Sequence, residues 1–233
     1  MTSSAPTPDI LSPDQRRQRN REEMLNAILD ASGAVMRERG VAALSLREVA
    51  RRVRLQAPSL YAYFPSKAAL YQGLFLEAVR RFGPYKERSA RRTGSFWDHL
   101  ESDFTTYMQF AQEQPDLFQL AFERPVPGFT PSEESMAESS ATLGGLTKTL
   151  EQAIQEGSIR PHVSLTEARD LIIAMSHGLT SQHMANEPDL PIGSGRYRSL
   201  IPAAVALFRL AWDPNRQDRP DDQSLEADTN HAR

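Results

Sequence analysis

The chain has 233 residues, 39% of them hydrophobic, which is enough for a sizeable core, and it has no cysteine, which excludes disulfide frameworks, thiol catalysis and thiolate metal sites. No apolar run approaches the roughly 18 residues of a membrane span and the first residues do not resemble a signal peptide, so we expect a cytoplasmic protein. Residues 1–92 carry 17 Lys and Arg against 9 Asp and Glu, while the remainder carries 10 against 21, so the N-terminal part favours a polyanionic partner unless its basic face is merely solvated.

Helical periodicity extends over nearly the whole sequence, and no stretch alternates apolar and polar residues for long enough to predict a strand. The fold class is therefore predicted to be all-α. The two ends are rich in Pro and polar residues, so residues 1–13 are predicted to be a disordered arm and residues 213–233 a disordered tail.

The first predicted helix covers residues 14–39, where apolar residues recur at three- and four-residue steps, and Gly40 ends it. Ser45 is predicted to cap a second helix of about two turns, with Glu48 completing a capping box. The two helices would then be separated by a short connection.

The third predicted helix follows the tight link Arg54-Leu55, carries Pro58 in its first turn and reaches Tyr63 or Phe64. Two short helices joined by a tight turn, after a longer basic helix, are typical of a helix-turn-helix, whose second helix lies in the major groove of DNA. An ordinary three-helix core that binds no DNA is the alternative.

Longer helices are predicted for the rest of the chain. Ser66 is expected to cap a fourth helix, which the Gly83-Pro84 pair stops or bends. Further helices are predicted at residues 95–113, 115–123, 132–157, 164–186 and 196–212, with loops at 125–131 and 188–195.

A set of residues between positions 40 and 70 follows a known pattern: Gly40, Ser45, Val49-Ala50, Ser59-Leu60-Tyr61, Tyr63-Phe64 and Lys67. This pattern resembles, without a gap, the DNA-binding domain of the TetR family of transcriptional regulators. The chain departs from it at the turn, where Arg54 and Gln56 replace the Gly and the small capping residue usual in the family. The resemblance implies a homodimer with a helix-turn-helix domain at residues 14–66 and a helical ligand-binding and dimerisation domain at residues 67–212.

Candidate DNA contacts follow from chemistry and from the resemblance. Ser45 at a helix start, Tyr63 and Lys67 are expected to contact phosphates. Base reading is expected from side chains that point into the groove, namely Arg47, Gln56, Ala57, Ser59 and Tyr61. A Tyr61 ring that only braces its helix is the alternative. Further basic residues either line phosphates or a minor groove, or are solvated charges: Arg16, Arg17, Arg19 and Arg21.

The C-terminal helices carry candidates for dimerisation and for effector binding. Small residues on one helix face, with two residues of the last helix, predict a four-helix dimer interface: Ala174, Gly178, Ser181, Ala185, Ala204 and Phe208. Packing within one chain is the alternative. Aromatic and sulfur side chains with one histidine predict a pocket for a small apolar or amphipathic molecule, with plain core as the alternative: Phe104, Tyr107, Met108, Phe118, Phe122, Met136, Met175 and His177.

The sequence therefore predicts a repressor that leaves a palindromic operator when an effector binds. Its expected partners are double-stranded DNA, the effector and a second copy of the chain. The sequence has no catalytic motif and no phosphate-cradling glycine-rich loop, and His177 and His183 fall on different helix faces, so neither catalysis, a cofactor nor a metal is expected. A helical enzyme and a binding module without operator affinity are the alternatives.

Overall fold

The computed structural model describes residues 12–90, 93–143 and 145–215, and within these ranges every regular element is helical, which confirms the predicted all-α class. The helices are α1 (Pro13–Arg39), α2 (Leu46–Arg52), α3 (Ala57–Tyr61), α4 (Lys67–Ala90), α5 (Phe96–Glu113), α6 (Pro115–Phe118), α7 (Glu133–Leu143), α8 (Gly145–Gln155), α9 (Leu165–Asn186), α10 (Arg196–Ser199) and α11 (Ile201–Trp212). A 3₁₀-helix (Val41–Ala43) follows α1, and a π-helix (Gln119–Glu123) continues α6. Among the described residues, no helix is long and apolar enough to cross a membrane.

The described residues form two compact units. The first contains residues up to 78 together with 115–136, and the second contains 79–114 together with the residues from 137 onward. The predicted boundary at residues 66 and 67 does not coincide with this division, because the first turns of α4 and the segment 115–136 group with the N-terminal helices.

Helix α1 begins within one residue of its predicted start. The Ser12 hydroxyl accepts a hydrogen bond from the Gln15 amide, and the Gln15 side chain accepts one from the Ser12 amide, so a full capping box sets the first turn. Gly40, with φ of 86°, ends the helix as predicted. Only the later turns of α1 enter the core of the first unit, through buried residues such as Ile28 and Val35.

The segment 115–136 is held in the first unit by polar and aromatic contacts. Arg37 of α1 donates to both carboxylate oxygens of Asp116, each at 3.0 Å, and the Asp116 side chain is only 1% exposed. A Cβ at Gly33 would lie 2.8 Å from an Asp116 carboxylate oxygen, so this helix position requires glycine for close approach. Further along, the Phe129 ring packs on Tyr71 of α4 with 5.4 Å between ring centroids.

The second unit has a core formed mainly by α5, α8, α9 and α11. Its buried residues are Phe96, Trp97, Leu100, Phe104, Met108, Leu150, Ala153, Ile159, Ala168, Ile172, Ile201, Ala204, Val205, Phe208 and Trp212. Ser95 and Asp98 form a capping box at the start of α5, and the Ser164 hydroxyl caps α9. Apolar residues at helical spacing therefore build the core, while Ser caps set where the helices begin.

Four helix boundaries differ from the predictions. Helix α3 ends at Tyr61, where Tyr63 or Phe64 was predicted. Of the two outcomes predicted for Gly83-Pro84, a stop or a bend, the stop does not occur: α4 continues to Ala90, and the rings of Phe82 and Tyr85 on either side of this pair both pack on Phe110 of α5. The helix predicted at 132–157 is instead α7 and α8. The helix predicted at 196–212 is α10 and α11, because Pro202 lacks an N–H and fits the first turn of a helix.

Candidate functional site

The turn between α2 and α3 is tight although it lacks glycine. The Leu55 amide donates to the Ala50 carbonyl at 2.9 Å, and the Arg54 amide donates to the Arg51 carbonyl at 3.2 Å. Arg54 itself lies in the left-handed region with φ of 56°. This is the Schellman arrangement, in which a left-handed residue satisfies the last carbonyls of a helix, and it is usually occupied by glycine. Arg54 therefore adopts the left-handed backbone conformation for which glycine is usual at this turn.

One side of α3 is buried and the other is exposed. Leu60 is fully buried, and Val49 and Phe64 are buried in the same unit. The side chains predicted to read bases lie on the exposed side of α3 and its preceding turn: Gln56, Ala57, Ser59 and Tyr61. Tyr61 is 49% exposed, which is unusual for so large a ring in a monomer and leaves it accessible to a partner.

A network of ion pairs engages most of the charges on α2. Glu48 accepts from Arg51 at 2.7 Å and from Arg52 at 3.1 Å, and Arg52 also pairs with Glu38 of α1. These hydrogen bonds hold the pKa of Glu48 at about 2, below its ordinary value of 4.5. Arg47 is exposed and makes no ion pair or hydrogen bond within the described residues, so its guanidinium is the cation of α2 that remains available to a ligand.

Ser45 caps α2 as predicted, but the capping box is not formed. The Ser45 hydroxyl accepts from the Glu48 amide at 3.5 Å. The Glu48 carboxylate, which was expected to reach back to the Ser45 amide, instead accepts from the two arginines that follow it. The bonds to arginine join two opposite charges, and Arg51 binds both carboxylate oxygens, whereas the amide would offer one donor and no charge.

The predicted phosphate contacts Tyr63 and Lys67 lie on the same unit. Lys67 is the first residue of α4, is exposed, and donates through Nζ to the Ala42 carbonyl at 3.1 Å. The ammonium has three donors, so others remain for a further acceptor. Tyr63 is half-buried, and the guanidinium of Arg21 lies 5.1 Å from its ring centroid. The contact between Arg21 and Tyr63 could not be predicted from the sequence, because the two residues are more than forty positions apart and helical periodicity relates only residues that are close in sequence.

The fold and this surface define a class of protein: an all-helical chain with an N-terminal helix-turn-helix, as found in DNA-binding regulators. The model of bacterial regulatory proteins of the tetR family matches residues 28–74, and the model of the tetracyclin repressor-like C-terminal domain matches residues 104–200. The chain belongs to the TetR family of transcription regulators.

Solved structures agree with this fold. A protein of unknown function from Rhodococcus sp. RHA1 has a TM-score of 0.68 at 19% identity, over 82% of this chain and 95% of that chain. A TetR family regulator from Marinobacter aquaeolei VT8 has a TM-score of 0.64 at 20% identity, over 84% and 98%. The regulator FadR from Bacillus subtilis, solved in complex with stearoyl-CoA, has a TM-score of 0.62 at 18% identity, over 78% and 96%. A comparison with curated proteins finds no match.

The residues predicted to bind an effector are divided between the two units. Phe118, Phe122 and Met136 belong to the first unit, where the first two rings lie 5.5 Å apart. In the second unit, Phe104 and Met108 are buried in the core described above, and Met175 packs against it. Both Phe104 and Met108 therefore contribute to the stability of this unit, and the polar residues beside them are the stronger candidates for contact with a ligand.

A hydrogen-bonded chain of polar side chains runs along the second unit beside that core. The Tyr107 hydroxyl lies 3.1 Å from His177 Nδ1, and the Ser181 hydroxyl lies 3.3 Å from His177 Nε2. Each hydroxyl can donate or accept, and so can neutral imidazole through its two nitrogens. This chain can therefore orient either a donor or an acceptor group of a small molecule.

The residues predicted to form the dimer interface fall into an exposed group on α9 and a buried group on α11. Ala174, Gly178 and Ala185 are exposed on one side of α9, and Ser181 is half-buried beside them. Ala204 and Phe208 of α11 are instead buried in the core of their own chain, which corrects their assignment to the dimer interface. Two other apolar residues of α11, which the sequence did not single out, are exposed: Leu207 at 57% and Leu210 at 52%. Leu171 of α9 is likewise 54% exposed.

Proposed function

We propose that the chain is a ligand-responsive repressor that binds a palindromic DNA operator as a homodimer and leaves it when a small molecule binds. The observation that carries the DNA-binding part is the exposed side of α3, which follows a helix whose exposed Arg47 makes no ion pair or hydrogen bond within the described residues. In a helix-turn-helix this is the side that enters the major groove. The protein is proposed to act in the cytoplasm and without catalysis.

The proposed DNA contacts divide into two groups. Ser45, Tyr63 and Lys67 would bind phosphates and set the position of the duplex, and such contacts carry no sequence information. Arg47 would read a base, since an arginine can donate two hydrogen bonds to guanine. The exposed residues of α3 would read their neighbours through hydrogen bonds from Gln56 and Ser59 and through apolar contacts from Ala57 and Tyr61 to thymine methyl groups.

The proposed dimer buries exposed apolar and small residues of α9 and α11, namely Leu171, Ala174, Gly178, Leu207 and Leu210. Contiguous exposed apolar surface is characteristic of protein interfaces. Small residues on α9 allow the backbones of two helices to approach closely, and leucines on α11 supply apolar area. Two helices from each chain would form the four-helix contact.

The proposed effector is apolar or amphipathic, with at least one polar group that the Tyr107–His177–Ser181 chain can bind. FadR, which shares this fold, was solved with stearoyl-CoA, a molecule with a long apolar chain and a polar head. Helix α4 supplies residues to both units, and we propose that it couples the effector to the DNA-binding unit. An effector acts only if it binds the two functional states with different affinities.

The test begins with selection of duplexes from a random-sequence library by the purified full-length chain. We expect enrichment of a palindrome with half-sites about one helical turn, ~34 Å, apart. Lys67→Ala and Tyr63→Phe should weaken binding to the selected and to a scrambled duplex by the same factor. If the wild-type chain enriches no sequence, the proposed function is wrong.

The effector is tested by native mass spectrometry of the chain purified from its expression host, followed by addition of the released molecules to the protein–duplex complex. Coupling of about 1–3 kcal/mol would lower operator affinity some 5- to 150-fold. His177→Ala should raise the concentration needed for release without changing affinity for DNA in its absence. Tyr107→Phe, which keeps the ring, is the matched control for the loss of the hydroxyl alone.

A further inference from the structure

The first turns of α1 form an exposed helix that carries four arginines. The capping box at Ser12 and Gln15 starts the helix at Pro13, and every residue from 13 to 23 is exposed. This stretch contains four arginines but little apolar surface, so packing in the first unit does not explain it. The net charge of residues 13–23 is only +1, because Asp14, Glu22 and Glu23 offset three of the four arginines, so binding to a polyanion depends on which side of the helix each arginine occupies.

The four arginines are not equivalent, because they occupy two sides of the helix. Arg17 and Arg21 are four residues apart and so share one side, about 6 Å from each other along the helix axis. The Arg21 guanidinium lies over the ring of Tyr63, a proposed phosphate contact, so this side of α1 continues the proposed DNA-binding surface. Arg19 is two residues from each of them, about 200° of rotation, and Arg16 is about 100° from Arg17 and about 140° from Arg21, so neither lies on this side.

We propose that the side of α1 defined by Arg17 and Arg21 binds the phosphates of duplex DNA that flanks the bases read by α3. This inference rests on the proposed function. Arg17 pairs with Asp14 at 3.3 Å, but both side chains are more than four-fifths exposed, at 81% and 91%. Such exposed pairs contribute little, so the guanidinium can exchange Asp14 for a phosphate at low cost.

An arginine can reach either the phosphates or the minor groove of DNA, and the helical state of residues 13–23 determines which of the two is accessible to it. An α-helix with its side chains is about 10–12 Å across, whereas the minor groove is about 6 Å wide. This part of α1 therefore lies along the phosphates and does not enter the groove. Its contribution is to affinity and salt dependence, not to sequence preference.

The first test compares two double variants of equal charge, Arg17→Ala/Arg21→Ala and Arg16→Ala/Arg19→Ala, on the selected duplex by fluorescence anisotropy between 50 and 200 mM salt. Each phosphate contact adds about 0.9 to the slope of log affinity against log salt. The first variant should lose about 1.8 from this slope for each protomer, or about 3.6 for the bound dimer, so that raising the salt fourfold costs it about 150-fold less affinity than it costs the wild type. The second variant should keep a slope near that of the wild type.

Equal slopes for the two double variants would overturn the inference, because a general charge effect does not distinguish sides of a helix. Arg17→Ala alone should lose about half the effect, which separates a direct contact from any disturbance of Tyr63 by loss of Arg21. Circular dichroism should show equal helix content, since all four side chains are exposed. A wild type that binds no duplex would overturn the proposed function as well, whereas equal slopes leave that function standing.

The second test removes a carboxylate and should therefore tighten DNA binding instead of weakening it. Asp14→Asn removes the carboxylate that competes with phosphate for Arg17 and should tighten binding to selected and scrambled duplexes alike. Glu23→Gln, which removes the carboxylate paired with Arg19 at 3.5 Å, is the charge-matched control and should have a smaller effect. A larger gain for Glu23→Gln than for Asp14→Asn would place the DNA on the other side of α1 and overturn the inference.

Discussion

Gly178→Leu separates the stability of the chain from its dimerisation. A Cβ placed at Gly178 meets no other atom within 4 Å, so the single chain has room for a side chain there. Glycine inside a helix is about 0.8–1.0 kcal/mol less favourable than alanine, and leucine is close to alanine, so the isolated chain should gain about 0.5–1 kcal/mol. The same change inserts one leucine from each copy into the proposed interface.

Overpacking typically costs about 1–3 kcal/mol for each inserted side chain, so the dimer should lose about 2–6 kcal/mol. Because 1.4 kcal/mol is a factor of ten, its dissociation constant should rise at least about 30-fold. Sedimentation velocity over a concentration series measures this change, and urea unfolding below the dissociation constant measures the stability of the chain. Gly178→Ala, which improves helix propensity but adds only one carbon, is the matched control and should remain closer to wild type in association.

Two results would refute this reasoning, and they concern different parts of it. A Gly178→Leu protein that dimerises with the wild-type constant would show that α9 does not form the interface. A monomeric variant that is also less stable than the wild type would show that Gly178 is packed within its own chain. DNA binding provides a third measurement, because a monomer contacts one half-site and should bind the selected duplex far more weakly than the dimer does.

Arg47→Ala should cost about 1–3 kcal/mol on the selected duplex and little on one with the contacted guanine replaced, and an equal loss on both would make Arg47 a phosphate contact. The arginine partners of Glu48 hold its pKa at about 2, so the stability that this carboxylate contributes is present above pH 4.5 and is lost as the pH falls toward 2. In Glu48→Gln, the free energy of unfolding measured in urea should therefore depend less on pH between 4.5 and 2 than it does in the wild type. Arg54→Gly should preserve or raise the melting temperature, whereas Arg54→Val should lower it, because a β-branched residue is strained at φ of 56°. Arg37→Met should cost about 2–4 kcal/mol in unfolding free energy, since it leaves the Asp116 carboxylate buried without its cation, and a change below 0.5 kcal/mol would contradict that assignment.

The helices that sequence predicted well are those whose ends carry a local signal. Ser12, Ser95 and Ser164 each cap a helix through a bond to an amide three residues on, and such caps depend on neighbours in sequence alone. The end of α4 lacked such a signal. Pro84 removes one N–H from a helix but does not forbid continuation, and the outcome depended on packing between α4 and α5 that periodicity does not describe.

The side of α11 that faces inward shows where a sequence pattern stops being informative. Its sequence, IPAAVALFRLAW, is apolar almost all the way round, so no polar side marks the surface. Phe208 is inward because it packs edge-on to Phe104 of α5, with 6.4 Å between ring centroids, and on Trp212. The inward side of α11 is therefore determined by packing on α5, which lies about a hundred residues earlier in the chain. Leu207 and Leu210 are therefore exposed, whereas the sequence analysis had predicted Ala204 and Phe208 to form the exposed interface.

The turn after α2 shows how a departure from a family pattern can coexist with the family's geometry. The Schellman bonds of Arg54 and Leu55 have the same donors and acceptors that a glycine would allow, so the direction of α3 relative to α2 is kept. The residue itself costs about 1–2 kcal/mol in the left-handed conformation, and an exposed guanidinium next to α3 is what the chain gains in return. Glycine at this position would lack the positive charge that the exposed Arg54 places just before the proposed base-reading residues of α3. Arg54→Gly should therefore weaken binding to selected and scrambled duplexes by the same factor even where it leaves stability unchanged, and unaltered affinity for both would show that the arginine serves no DNA contact.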